Sequence, residues 1–126
     1  MKGIFVNENG GIRYAEALVS GFKTIETRNR NMLAACCGER VAVVRTRRGK
    51  NPEVIGTVYM GETPLHVRAE VLDTLRDETL IPPGSLYDPK PGTRKWCYFC
   101  GAGVKFDKPY PLPKEAVRHG RSWCEF

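Results

Sequence analysis

The chain has no apolar run approaching the roughly 18 residues of a membrane span. Its opening MKGIFVNENGG holds one lysine and a four-residue apolar stretch, too short for the hydrophobic region of a secretory leader. A cytoplasmic location is the default expectation. Histidine is scarce: His66 and His119 are the only two, and neither sits in a nucleophile pattern. A second cysteine knuckle is also missing. WCYFC at 96–100 contains a single CxxC in a run that reads as a strand, where Cys97 and Cys100 face opposite ways. Structural zinc usually takes two such knuckles, and no helix start follows to lower a thiol pKa for redox chemistry. Five cysteines, with Cys36 and Cys37 adjacent, do not form a secreted disulfide framework. Buried thiols are expected, with no metal and no cofactor. Repeats, low-complexity tracts and long linkers are absent as well, so the 126 residues are expected to make one domain, 1–126, large enough for a core without cross-links.

Turn formers and positive charge are what the chain does have. Thirteen glycines and nine prolines imply many turns, and a net charge of +6 favours polyanionic or phosphorylated partners. The only locally dense cations are RTRRGK at 45–50. GIFV at 3–6 reads as a buried strand, followed by the turn NENGG. Ile12, Ala15, Leu18, Val19 and Phe22 then recur at three- and four-residue spacings, which predicts a helix ended by Gly21 as a left-handed cap. TIETR alternates, so Thr24, Glu26 and Arg28 project to one side of a strand.

RVAVVRTR at 40–47 and EVIGTVYMGE at 53–62 are β-favouring and predict a hairpin with RTRRGK at its tip. From Pro64, the stripe Val67, Val71, Leu72 and Leu75 predicts a second helix. The proline- and glycine-rich segment 81–93 must be a loop, and its length makes it a candidate flap. KWCYFCGAGVKF, the extended PYPLP and SWCEF complete a set of about six strands and two helices, an α+β fold built on a small barrel.

In the order in which they occur, four blocks resemble the ASCH domain, a relative of the PUA fold. GFKTIETR after an amphipathic helix is similar to that family's G-x-K-T-x-E-x-R signature. VIGTVYMGE, YFCGAGVKFDKPYPLP and HGRSWCEF resemble its later strand blocks. The resemblance implies a PUA-like small β-barrel flanked by helices. It also implies a cleft for RNA or a nucleotide-like ligand, lined by Lys23, Thr24, Glu26 and Arg28.

The chemistry suits that role. A lysine and a forked guanidinium grip phosphate, and a carboxylate accepts hydrogen bonds from a base amino group. An amidohydrolase branch of the family, which removes acyl groups from modified cytidine, is similar in the motif. It matches Lys23 to a reactive lysine and Arg28 to an arginine, but places Glu26 where that branch has threonine; Glu62, Glu70 or Glu78 stands for its distant acid. Cleavage of an RNA phosphodiester, with Glu26 as base beside Lys23, is the other enzymatic alternative.

Against these stand plainer readings. The charges of GFKTIETR can be a solvated strand edge, and Arg45, Arg47, Arg48 and Lys50 can be a soluble hairpin tip rather than a phosphate-binding patch. Trp96 and Trp123 can stack bases, though core packing is the commoner role for a tryptophan. Nothing in the chain specifies an oligomeric state.

Overall fold

A computed structural model describes all residues, 1–126. One sheet runs through the molecule, built from β1 (Lys2–Asn7), β2 (Ile25–Arg28), β3 (Arg40–Thr46), β4 (Glu53–Met60), β5 (Leu65–Arg68), β6 (Arg94–Pro111), β7 (Val117–His119) and β8 (Trp123–Glu125). The strand order is β2-β6-β4-β3-β1-β8-β7, with β5 joined to β6 off this path. The β1–β3 pair is parallel and the others are antiparallel. The sheet curls into a half-barrel flanked by α1 (Tyr14–Ser20) and by a helical segment made of α2 (Ala69–Leu72), a 3-10 turn and α3 (Arg76–Thr79), the α+β PUA-like architecture expected.

The central strands read as continuous apolar runs because both of their faces are covered. Ile4, Val6, Val41 and Val43 point into the main core with Leu18, Val58 and Tyr98. Their neighbours Phe5, Ala42 and Val44 point the other way, into a second cluster with Val54, Leu112 and Cys124. α1 lays Ala15, Leu18 and Val19 on the main core and ends where expected, at Gly21 with φ 84°. Its last turn approaches the sheet closely enough that a Cβ on Gly103 would lie 2.6 Å from the Val19 carbonyl oxygen, so only glycine fits there.

Three expectations need correcting. Phe22 lies beyond the cap and is 75% exposed, outside the stripe. Pro64 does not open a helix: 65–68 forms β5, pairing Leu65 with Cys97, and the helical segment starts only at Ala69. Backbone pairing along β6 outweighs the helical spacing, and Val67, Leu72 and Leu75 still meet around Ile25 and Cys97 from different elements, while Val71 is exposed. The third concerns strand count. The stretches at 95–106 and 109–111 are one 18-residue strand, and β7 is an additional short strand that extends the sheet beyond β8. No helix is long and apolar enough to cross a membrane.

Candidate functional site

The sheet's two ends approach each other at the mouth of the half-barrel. β2 and β6 sit at one end of the strand order and β7 at the other, yet residues from all three line one cleft of about 540 Å³. Its size falls in the usual range for small-ligand sites, and barrel mouths are a common place for them. β1 contributes Phe5 and Asn7, α1 contributes Tyr14, and Ile81 and Tyr87 come from the 81–93 loop.

Lys23, Glu26 and Arg28 form its floor. The Lys23 side chain is 1% exposed, donates to the carbonyl of Thr79, lies 3.8 Å from Glu26 Oε1 and stands over the Tyr14 ring at 5.1 Å. Glu26 accepts from its neighbour Thr27 N–H at 3.1 Å through Oε1 and from Arg28 Nη2 at 3.1 Å through Oε2. Arg28 Nη2 also donates to the Phe5 carbonyl at 2.6 Å, tying β2 to β1, which are not neighbours in the sheet. Arg28 therefore closes the half-barrel as well as flooring the cleft.

Burial raises the Glu26 carboxyl pKa, but the Arg28 and Lys23 charges and the hydrogen bonds outweigh it, leaving the group below its usual value. Burial pulls the Lys23 amine below its ordinary value, and Glu26 opposes that shift. The same two influences, with Asp88 added to Glu26, act on Lys95, which also faces the cleft and is 9% exposed.

The alternation in TIETR thus brings Glu26 and Arg28 together with Lys23, but Thr24 is exposed and does not line the cleft; Thr27 does. The main chain of Thr24 is instead structural, its N–H bonded to Glu78 and its carbonyl to Cys100. Glu62, Glu70 and Glu78 all lie outside the cleft, so Glu26 is its only carboxylate.

The hairpin tip differs from its expected role. Arg45 and Arg47 both donate to Glu53 Oε1, at 3.0 and 2.6 Å, and only Arg48 and Lys50 are exposed. Cys97 and Cys100 are buried in separate clusters, and burial pushes their thiols up to about 11 and about 12. Trp96 stacks on His66 at 4.6 Å and Trp123 on His119 at 3.9 Å, both half-buried against the main core rather than facing the cleft.

Lys95, Tyr14, Tyr87, Arg118 and Arg121 line the cleft without having been singled out in the sequence. Lys95 had one visible signal, a cation that follows Arg94 and leads directly into the apolar strand run WCYFC. Arg118 had none and Arg121 only its place in HGRSWCEF, since both are exposed cations on a segment distant from GFKTIETR in the chain.

This curled α+β sheet is an ASCH-like fold. The ASCH protein from Zymomonas mobilis matches it with a TM-score of 0.65 at 25% identity, over 87% of this chain and 73% of that one. A serine-to-alanine mutant of that protein gives 0.64 at 27% identity, over 87% and 74%, and a tyrosine-to-phenylalanine mutant gives 0.64 at 25%, over 89% and 77%. No family model and no curated protein matches the sequence.

Proposed function

We propose that this chain binds RNA or a nucleotide-like ligand in the cleft floored by Lys23, Glu26 and Arg28. The observation that carries the reading is the ion-paired Glu26 carboxylate at the bottom of an open cavity, walled by Tyr14 and Tyr87. Held ionised by two cations, Glu26 is a fixed acceptor for a base amino group, and the aromatic rings offer faces on which a base can stack. The exposed Arg48 and Lys50 at the hairpin tip extend the footprint for a longer RNA through phosphate contacts alone. A ligand-shift screen of nucleosides and short RNAs against wild type and a folded Lys23→Ala variant tests this. Binding to wild type that is lost in the variant is expected, and no binding of any of them to wild type would end the proposal.

A second reading, a hydrolase of acylated cytidine or of an RNA phosphodiester, has one observation in its favour. Desolvation of Lys23 moves its amine toward the neutral, reactive form. Against it, Glu26 is a weak base, and no second carboxylate lines the cleft. Turnover of an acylated cytidine or an RNA by wild type, abolished in Lys23→Ala, would establish it over simple binding.

A further inference from the structure

The cations of the cleft fall into two groups. Lys23 and Arg28 are satisfied within the protein, by Glu26 and by the Thr79 and Phe5 carbonyls. Lys95, Arg118 and Arg121 line the same cavity and make neither a hydrogen bond nor an ion pair with any carboxylate. For exposed arginines that is unremarked surface behaviour. Lys95, 9% exposed as a residue, feels Glu26 and Asp88 only through space, so its ammonium lines the cavity with no hydrogen-bond acceptor from the protein.

We propose that Lys95, Arg118 and Arg121 form a phosphate subsite, and that the ligand is a nucleotide carrying a terminal phosphate rather than a neutral nucleoside. This rests on the nucleotide-like reading of the cleft given above. A phosphomonoester dianion supplies the acceptor oxygens that Lys95 lacks, and a guanidinium fork from the turn between β7 and β8 meets the same group from the far end of the sheet. That turn is shaped for its place: Gly120, with φ 61°, separates the two arginine-bearing positions and itself lines the cleft. Arg118 is held over the Phe5 ring at 5.4 Å, which orients it without consuming its hydrogen-bond donors. Burial pulls the Lys95 amine below its ordinary value, so an arriving dianion restores its full charge and binding takes up a proton in the alkaline range. A neutral nucleoside would leave all three cations as they are.

The subsite makes a difference that calorimetry reads directly, by titrating the four ribonucleosides and their 5′- and 3′-monophosphates at fixed ionic strength. At least one monophosphate is expected to bind wild type about tenfold or more tightly than its nucleoside, a ratio equal to about 1.4 kcal/mol, and inorganic phosphate is expected to compete with it. Lys95→Met and Arg121→Ala should each shrink that ratio severalfold. A nucleoside that binds as tightly as its monophosphate overturns the subsite. So does a ratio that survives Lys95→Met or, should that variant fail to fold, Arg121→Ala. Binding of short RNA with no monophosphate bound also counts against a terminal-phosphate subsite, while the broader nucleotide reading survives. No binding of any nucleoside, nucleotide or RNA removes both.

Discussion

Two clusters of positive charge, the hairpin tip and the cleft, differ in the sequence, where only the first is dense, and behave oppositely in the fold. At the tip, Arg45 and Arg47 converge on Glu53, and partial burial that would raise that carboxyl is outweighed by the two guanidiniums, which hold it below its usual value. The remaining tip cations face solvent. In the cleft, Glu26 is shared by Lys23 and Arg28 in a desolvated floor, and three further cations surround it without a carboxylate of their own. Local density of charge therefore says little about where a ligand binds. What matters is whether the fold neutralises the cations: Glu53 does so for Arg45 and Arg47 at the tip, whereas Lys95, Arg118 and Arg121 share a cavity with no acidic partner of their own.

The comparison is broken most sharply by removing each acceptor in turn. Glu26→Ala strands Lys23 and Arg28 and is expected to cost about 3–5 kcal/mol in urea unfolding, whereas Glu53→Ala at the tip should cost about 1 kcal/mol or less. Equal losses would erase the distinction between the two clusters. Arg28→Ala comes next. It removes charge-assisted bonds to Glu26 and to Phe5 across the barrel mouth, and about 2–3 kcal/mol should be lost with a matching drop in Tm.

Acid titration refines the first comparison. Because the folded Glu26 value lies below its ordinary 4.5, its stabilisation is complete above that pH and disappears as pH falls through the folded value. The acid limb of the stability profile should flatten in Glu26→Gln.

Lys95→Met carries a smaller effect of opposite sign. Relief of the partial desolvation of the Lys95 amine should raise stability near neutrality slightly, while Lys50→Met at the tip changes nothing measurable. Since the folded Lys95 value lies below 10.5, the unfolded chain binds more protons between the two, and wild-type stability rises with pH across that window. The variant lacks the rise. A destabilised Lys95→Met would mean that the side chain holds the fold together rather than waiting for a ligand.

Much of the scaffold was legible from order along the chain. The helix stop at Gly21, the 40–62 hairpin, the 81–93 loop and the α+β class all follow from short-range periodicity and turn chemistry, which act over a few residues. The second helix was misread at its start because 65–68 had a free strand edge to pair with, and the sequence spacing carries no information about a partner remote in the chain. In the site, Glu26 and Arg28 were legible because a single strand presents them together, and Lys23 because it stands in the same motif just before that strand. Thr24 was misplaced because its exposed side chain lies outside the cavity that the neighbouring residues line.

The motif's own geometry, then, comes from local alternation: a period of two puts Glu26 and Arg28 on one side of β2 whatever the rest of the chain does. The cleft itself does not. Lys95 reaches it from β6, Arg118 from β7 and Arg121 from the turn between β7 and β8, elements at opposite ends of the strand order. They share a cavity only because the twisted sheet curls until its ends nearly meet, with Arg28 bonded across the gap to Phe5. Burial, pairing and the charge left over are properties of that closure, since each depends on distances between residues remote in sequence.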